Sequence, residues 1–167
     1  MPSMGIYSYE LYKFYDVDNI IRVGSAGAYA PDLKLFDVVL ANEVYSDSNY
    51  AKVQNGYDKN INYPSFELNE KIINAANKLN INMKTGRIYS SDVFYKQDEN
   101  HMDMYKDKKC LCVEMESFAL FHNASVLGKK AACLLTISDS FVLHEETTSE
   151  ERQNSFNQMI EIALNSI

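Results

Sequence analysis

Val113-Glu114-Met115-Glu116-Ser117, answered further along the chain by Thr136-Ile137-Ser138-Asp139, is the stretch on which the fold turns. Each segment closes an apolar run of β-branched or cysteine side chains, and each puts carboxylates where a strand should end. In α/β sheets, ligands bind in the crevice beyond the carboxyl ends of the strands. Two acidic strand ends therefore imply one pocket that can grip hydroxyls and move a proton, which suits a sugar-bearing ligand.

Working outward, Ile20-Ile21-Arg22-Val23-Gly24 reads as a short buried strand entering a glycine-bearing turn, Gly24-Ser25-Ala26-Gly27. Asp37 to Tyr45 reads as a second strand, and the polar stretch 46–64 as a long loop. Leu68, Ile72, Ala75, Ala76 and Leu79 share one face at helical spacing. Thr85 to Asp92 and Cys110 to Val113 read as strands, and a helix is expected from about Met115 to Val126. Lys130 to Ser138 is a further strand, and a last helix from near Thr148 turns Phe156, Met159, Ile160 and Ala163 inward. Strands alternating with helices predict an α/β sheet with helices on its faces.

At 167 residues the chain fits one domain, with no internal repeat or linker. Its net charge of −7 argues against a nucleic-acid surface, which needs a basic stripe. Lys106, Lys108 and Lys109 alternate with Asp103 and Asp107 and read as a solvated face. Cys110, Cys112 and Cys133 sit in apolar runs and read as buried thiols, and their spacing is wrong for zinc. Met1-Pro2-Ser3-Met4-Gly5 lacks the regions of a signal peptide, so a cytoplasmic location is the default expectation.

Several side chains could carry chemistry, each with a plainer alternative. Arg22 must be paired if buried; a phosphate fits its planar fork, with Ser25 as a further donor, and a structural ion pair fits equally. Glu114 and Glu116 share a face if the segment is extended and could hold a ribose diol. Alternatively, one is a buried acid satisfied by backbone donors and the other sits in a helix's first turn. Asp139 is a candidate general acid or a turn cap. Arg152 opposes the dipole of a helix that Thr147-Thr148-Ser149-Glu150-Glu151 opens with capping-box spacing, unless it pairs with Glu150 or Glu151. Phe94 and Tyr95 read as core, with base stacking as the alternative. His144 reads as a loop histidine.

Taken together, the segments resemble the bacterial, hexamer-forming purine nucleoside phosphorylases of the nucleoside phosphorylase family. The resemblance runs through Pro2-Ser3, Tyr7, Glu10-Leu11, Ile20 to Ala28, Ser91-Asp92-Val93-Phe94-Tyr95, Val113-Glu114-Met115-Glu116 and Ser138-Asp139. His144-Glu145-Glu146-Thr147-Thr148 and Glu151-Arg152-Gln153 complete it, and the last motif favours this branch over uridine phosphorylases and nucleosidases.

The resemblance implies a mixed central sheet flanked by helices and reversible phosphorolysis of purine ribo- and 2′-deoxyribonucleosides. It implies inorganic phosphate as co-substrate, no cofactor or metal, and a homo-oligomer. Arg22 and Ser25 would bind phosphate. Met115 and Glu116 would hold the ribose, while Phe94, Val113, Glu114 and Ser138 line the nucleoside pocket. Asp139, assisted by Arg152, would protonate the purine N7. The family also has an N-terminal segment ahead of the part matching Met1, with the first strands, a phosphate loop, and a His and an Arg given to the neighbouring subunit. The expectation is one nucleoside phosphorylase-like domain over 1–167 without those strands. The alternatives are an inactive fragment that binds nucleoside or pairs with full-length subunits, and a nucleoside hydrolase.

Overall fold

The computed structural model describes residues 1–97, 101–154 and 156–167. Its elements are α1 (Pro2–Phe14), β1 (Asn19–Ala28), β2 (Val38–Tyr45), α2 (Tyr50–Asn55), β3 (Ile61–Asn62), α3 (Phe66–Leu79) and β4 (Met83–Ser90). There follow α4 (His101–Lys106), β5 (Cys110–Glu114), α5 (Ser117–Leu127), β6 (Lys130–Ser140), β7 (Glu145–Glu146), α6 (Ser149–Asn154) and α7 (Asn157–Leu164).

The strands form one mixed sheet in the order β3-β2-β4-β5-β1-β6-β7. The pairs β1–β6, β2–β4 and β4–β5 are parallel, whereas β1–β5 and β6–β7 are antiparallel. A further antiparallel pairing of Val38–Leu40 with Leu134–Thr136 joins β2 to β6, so the sheet curls until its middle strands close on themselves. β6 shows why both faces are buried. Ala131, Cys133, Leu135 and Ile137 enter one core cluster with Phe118, Leu120 and Phe121 of α5. The intervening Ala132 and Leu134 enter another with Leu68 and Ile72 of α3 and Met159 and Ile162 of α7. A strand covered on both sides reads as a continuous apolar run, which is what β6 is.

Helix ends follow their side chains. Ser65 caps α3, its hydroxyl accepting from the Leu68 N–H at 3.4 Å, and Asn80 closes the helix at φ 54°. Gly128, at φ 66°, closes α5.

Four expectations need correction. The stretch Gly24–Gly27 is not a turn: β1 runs through it, paired with β6 along its length and with β5 at Gly27 and Ala28. The stretch 46–64 contains α2 and β3. Neither has an amphipathic period, because α2 buries only Ala51 and is held by polar contacts: Tyr50 and Gln54 both donate to the Asn123 amide oxygen. The last helix is two helices, α6 and α7, and residue 155, inside the expected single helix, lies outside the described residues. Ile160 is 43% exposed, while Ile162 takes the buried position. The residues before β1 form α1, which Pro2 opens in the first turn, where its missing N–H costs nothing.

Candidate active site

The site lies where the carboxyl ends of β1, β5 and β6 meet, in a cavity of about 910 Å³. Arg22, Ser25, Phe94, Val113, Glu114, Met115, Glu116, Ser138, Asp139 and Arg152 all line it. Residues 22 to 152 in sequence thus reach one space, because the parallel β1–β6 pair and the crossing of β5 bring three chain segments together.

Arg22 organises one end. Its Nε lies 3.2 Å from Glu114 Oε2, and its Nη2 donates to Glu116 Oε2. Burial works against the positive charge, but Glu114 foremost, with Glu116 in support, holds the guanidinium above its ordinary pKa. Its Nη1 is buried and has no hydrogen-bond partner among the described residues. A buried guanidinium nitrogen without an acceptor costs free energy that an incoming anion recovers. The fork lies back over Gly24, where an added Cβ would collide with Nη1, so this glycine provides room for the side chain.

Glu114 is only 4% exposed. It accepts from the backbone N–H of Glu116 at 2.9 Å and of Ser117 at 3.0 Å, serving the start of α5. The two acids therefore do not project as a pair from an extended segment. The chain bends at Met115, Glu114 turns into the helix start, and Glu116 stays half-buried facing the cavity. The plainer alternative for Glu114, a buried acid with backbone donors, is what the structure shows, with Arg22 added. Beneath them Ser117 Oγ donates to Cys133 Sγ at 3.0 Å, and burial pushes the Cys133 thiol up to about 12, so it stays protonated.

Asp139 lines the same cavity. β6 carries a bulge there: Ala26 pairs with Ile137 but Gly27 with Asp139, so Ser138 is the extra residue. Bulges re-aim side chains at functional sites. Ser138 Oγ donates to Asp139 Oδ1 at 2.7 Å. Gly27 lies against the same carboxylate and against Phe141, whose ring stacks on buried Tyr29 with centroids 5.4 Å apart. Arg152 reaches the cavity from α6, its Nε and Nη2 donating to the Thr147 carbonyl at 3.2 and 2.9 Å. Thr147 in turn donates through its N–H and hydroxyl to the Ser138 carbonyl, tying Arg152 to the bulge. The capping box forms as its spacing predicts, between Thr148 and Glu151.

Phe94 and Tyr95 are not core. They are 75% and 88% exposed and meet edge to face, and both line the cavity. A run of Val-Phe-Tyr reads as buried by composition, whereas here it lines the cavity. His144 also lines the cavity, at φ 55°. The sequence reading missed Gly27, Phe141 and Lys96 in the lining. Gly27 carried a signal, lying two residues beyond Ser25 on the same strand; the other two carried none.

A fold of this topology with a basic, acidic and aromatic cavity at its strand ends defines a class: the chain belongs to the phosphorylase superfamily, whose model matches residues 1–166. Its relatives carry a narrower name. The DeoD-type purine nucleoside phosphorylase of Mycoplasma genitalium is 47% identical over 167 residues, covering 98% of this chain and 70% of that protein. The proteins of the same name from Psychromonas ingrahamii and Bacillus subtilis are 44% and 40% identical, each covering 100% of this chain and 71% of the relative. Among solved structures, the P knowlesi homolog of P falciparum PNP superposes with a TM-score of 0.81 at 22% identity, covering 97% of this chain and 65% of that one. A futalosine hydrolase mutant of Helicobacter pylori gives 0.80 at 20% identity, covering 98% and 75%. At such identities the likeness is one of fold. Among the described residues, no helix is long and apolar enough to cross a membrane.

Proposed function

We propose that residues 1–167 act as one nucleoside phosphorylase-like unit that reversibly converts purine ribo- and 2′-deoxyribonucleosides and inorganic phosphate into free base and (deoxy)ribose 1-phosphate. The observation that carries this reading is the unpartnered, buried Nη1 of Arg22 in a cavity whose lining also holds Glu116 and Asp139. An anion drawn to Arg22 and Ser25 lies beside a sugar whose hydroxyls Glu116 accepts, with Met115 and Val113 against the ring. Phe94 offers a flat face to the base, and Glu114 holds Arg22 and the helix start in place.

In the forward direction a phosphate oxygen forms a bond to C1′ as the C1′–N9 bond breaks. The bonding pair leaves with the purine, and Asp139 delivers a proton to N7, neutralising the charge that develops there. Arg152, tied to the Ser138 carbonyl through Thr147, assists that transfer. The oxocarbenium-like sugar is flanked by phosphate and by the Glu116 carboxylate. No cofactor or metal enters this scheme. The relatives' names support the substrate class, and we place the protein in the cytoplasm as a homo-oligomer.

The test is incubation of inosine or adenosine with and without phosphate. Base release only with phosphate, together with sugar 1-phosphate, is expected. Equal release without phosphate would make it a hydrolase. Nucleoside binding by calorimetry without turnover would make it a binding chain.

A further inference from the structure

Phe94 and Tyr95 face the cavity from a segment that their own packing does not hold, since both rings are largely exposed. The start of that segment is fixed by Ser91, whose hydroxyl donates to the Val93 carbonyl at 2.9 Å and accepts from the Val93 N–H at 3.2 Å. Its far side is fixed by Lys96. Lys96 Nζ lies 3.1 Å from the Tyr89 hydroxyl and 3.2 Å from Asp47 Oδ2. The Tyr89 hydroxyl in turn donates to Asp47 Oδ1 at 2.7 Å.

Tyr89, next to last in β4, is 1% exposed, and Asp47 follows β2, which pairs with β4 at Tyr45–Tyr89. The Tyr89 half of the anchor therefore belongs to the sheet, and Asp47 is joined to it by the hydrogen bond from the Tyr89 hydroxyl. Although burial pushes it up, hydrogen bonds from Tyr89 and Lys96 hold the Asp47 carboxyl below its ordinary range, so the pair is ionised at neutral pH.

We infer that Lys96 is a positioning residue: by closing on Asp47 and Tyr89 it holds the Phe94–Tyr95 wall in the orientation that receives the purine. This rests on the proposed function for the identity of the ligand, but the clamp itself is separately measurable. The role belongs to nucleoside binding and not to the chemical step, because Lys96 directs its ammonium to Asp47 and Tyr89 and follows directly on the two rings.

The experiment compares wild type with Lys96→Met, Asp47→Asn and Lys96→Arg. Limited chymotrypsin digestion, with cleavage sites read by mass spectrometry, reports how freely the segment opens. Lys96→Met and Asp47→Asn should be cut after Phe94 or Tyr95 about fivefold faster than wild type, the scale of one lost, partly exposed charge-assisted hydrogen bond. Lys96→Arg, which keeps the charge and donors, should be cut at close to the wild-type rate. In phosphorolysis, Lys96→Met should raise the nucleoside KM by a similar factor while kcat and the phosphate KM stay within about twofold.

Unchanged cleavage in Lys96→Met and Asp47→Asn would overturn the inference whatever the activity. With an active wild type, faster cleavage but an unchanged nucleoside KM would also overturn it, as would equal rises in both KM values. A wild type without phosphorolysis whose variants still open faster would refute the proposed function and leave the clamp standing.

Discussion

Gly27→Ala separates the position of Asp139 from its chemistry. The φ of Gly27 lies outside the left-handed region, so the backbone accepts alanine and only space is at issue. A Cβ there would sit 2.5 Å from Asp139 Oδ2 and 2.7 Å from Phe141 Cε2. Relief therefore takes a shift of the Phe141 ring, which is stacked on Tyr29, together with rotation of the Asp139 carboxylate at the bulge. Reaching ordinary contact moves Oδ2 by about 1 Å, a displacement that can cost roughly 100-fold in rate at a reacting group. The hydrogen bond from Ser138 would be lost with it.

Overpacking of this kind costs about 1–3 kcal/mol of stability, leaving a folded protein to assay. Phosphorolysis of inosine, followed by base release at saturating phosphate, should show kcat reduced by about 100-fold. A nucleoside whose base is already cationic at N7 needs no proton and should lose less than about tenfold. Equal losses on the two substrates, or full activity with an unchanged melting temperature, would refute the reasoning that Gly27 holds the carboxylate in its productive position.

Asp139→Asn should reduce turnover of natural purine nucleosides by about 10²–10⁴-fold with little change in the unfolding midpoint, again sparing substrates that need no protonation. Glu114→Ala removes the buried partner of Arg22 and the acceptor for two backbone N–H groups. Denaturant titration should show a loss of about 3–5 kcal/mol, as for other broken buried pairs. His122 is 2% exposed, its Nε2 lacks a partner among the described residues, and burial lowers its pKa below the ordinary 6.5. The unfolded chain therefore binds the proton more readily, so the neutral ring's contribution is complete above the unfolded pKa and fades as pH falls through it toward the folded one. Chemical denaturation across that window should give a stability that falls with pH in wild type and a shallower slope in His122→Leu.

What the sequence revealed and concealed follows from range. β6 and α3 were legible because their periodicity is local and their burial heavy. Thr148 and Glu151 were legible because a capping box spans only four residues. The ten candidate residues were visible as strand ends and as a resemblance, but their arrangement was not. The closure of β2 onto β6, the bulge at Ser138 and the bend at Met115 depend on partners far along the chain. Glu114 shows the difference: its residue type announced a special position, while its service to the start of α5 and to Arg22 depends on a backbone bend that spacing alone did not reveal. Phe94 shows the converse error, where composition suggested core and the cavity placed the ring in solvent. The stretch 46–64 concealed α2 because that helix is held by polar contacts to Asn123 in place of an apolar face.

The long reach of β1 has a consequence during synthesis. Ala26 and Ser138, 112 residues apart, lie on strands that must pair for β1 to be held along its length. β5 supplies only the pairings at Gly27 and Ala28. At ribosomal speeds of about 5–20 residues per second, the Ile20–Val23 segment waits roughly 6–22 s for its neighbour. For that interval an apolar strand lies open to any other nascent edge. Arg22 stands in the middle of it, and a charge inside an exposed β-prone run is the usual gatekeeper against aggregation. The same guanidinium that meets Glu114 and Glu116 in the finished protein thus guards the strand before either carboxylate has been made.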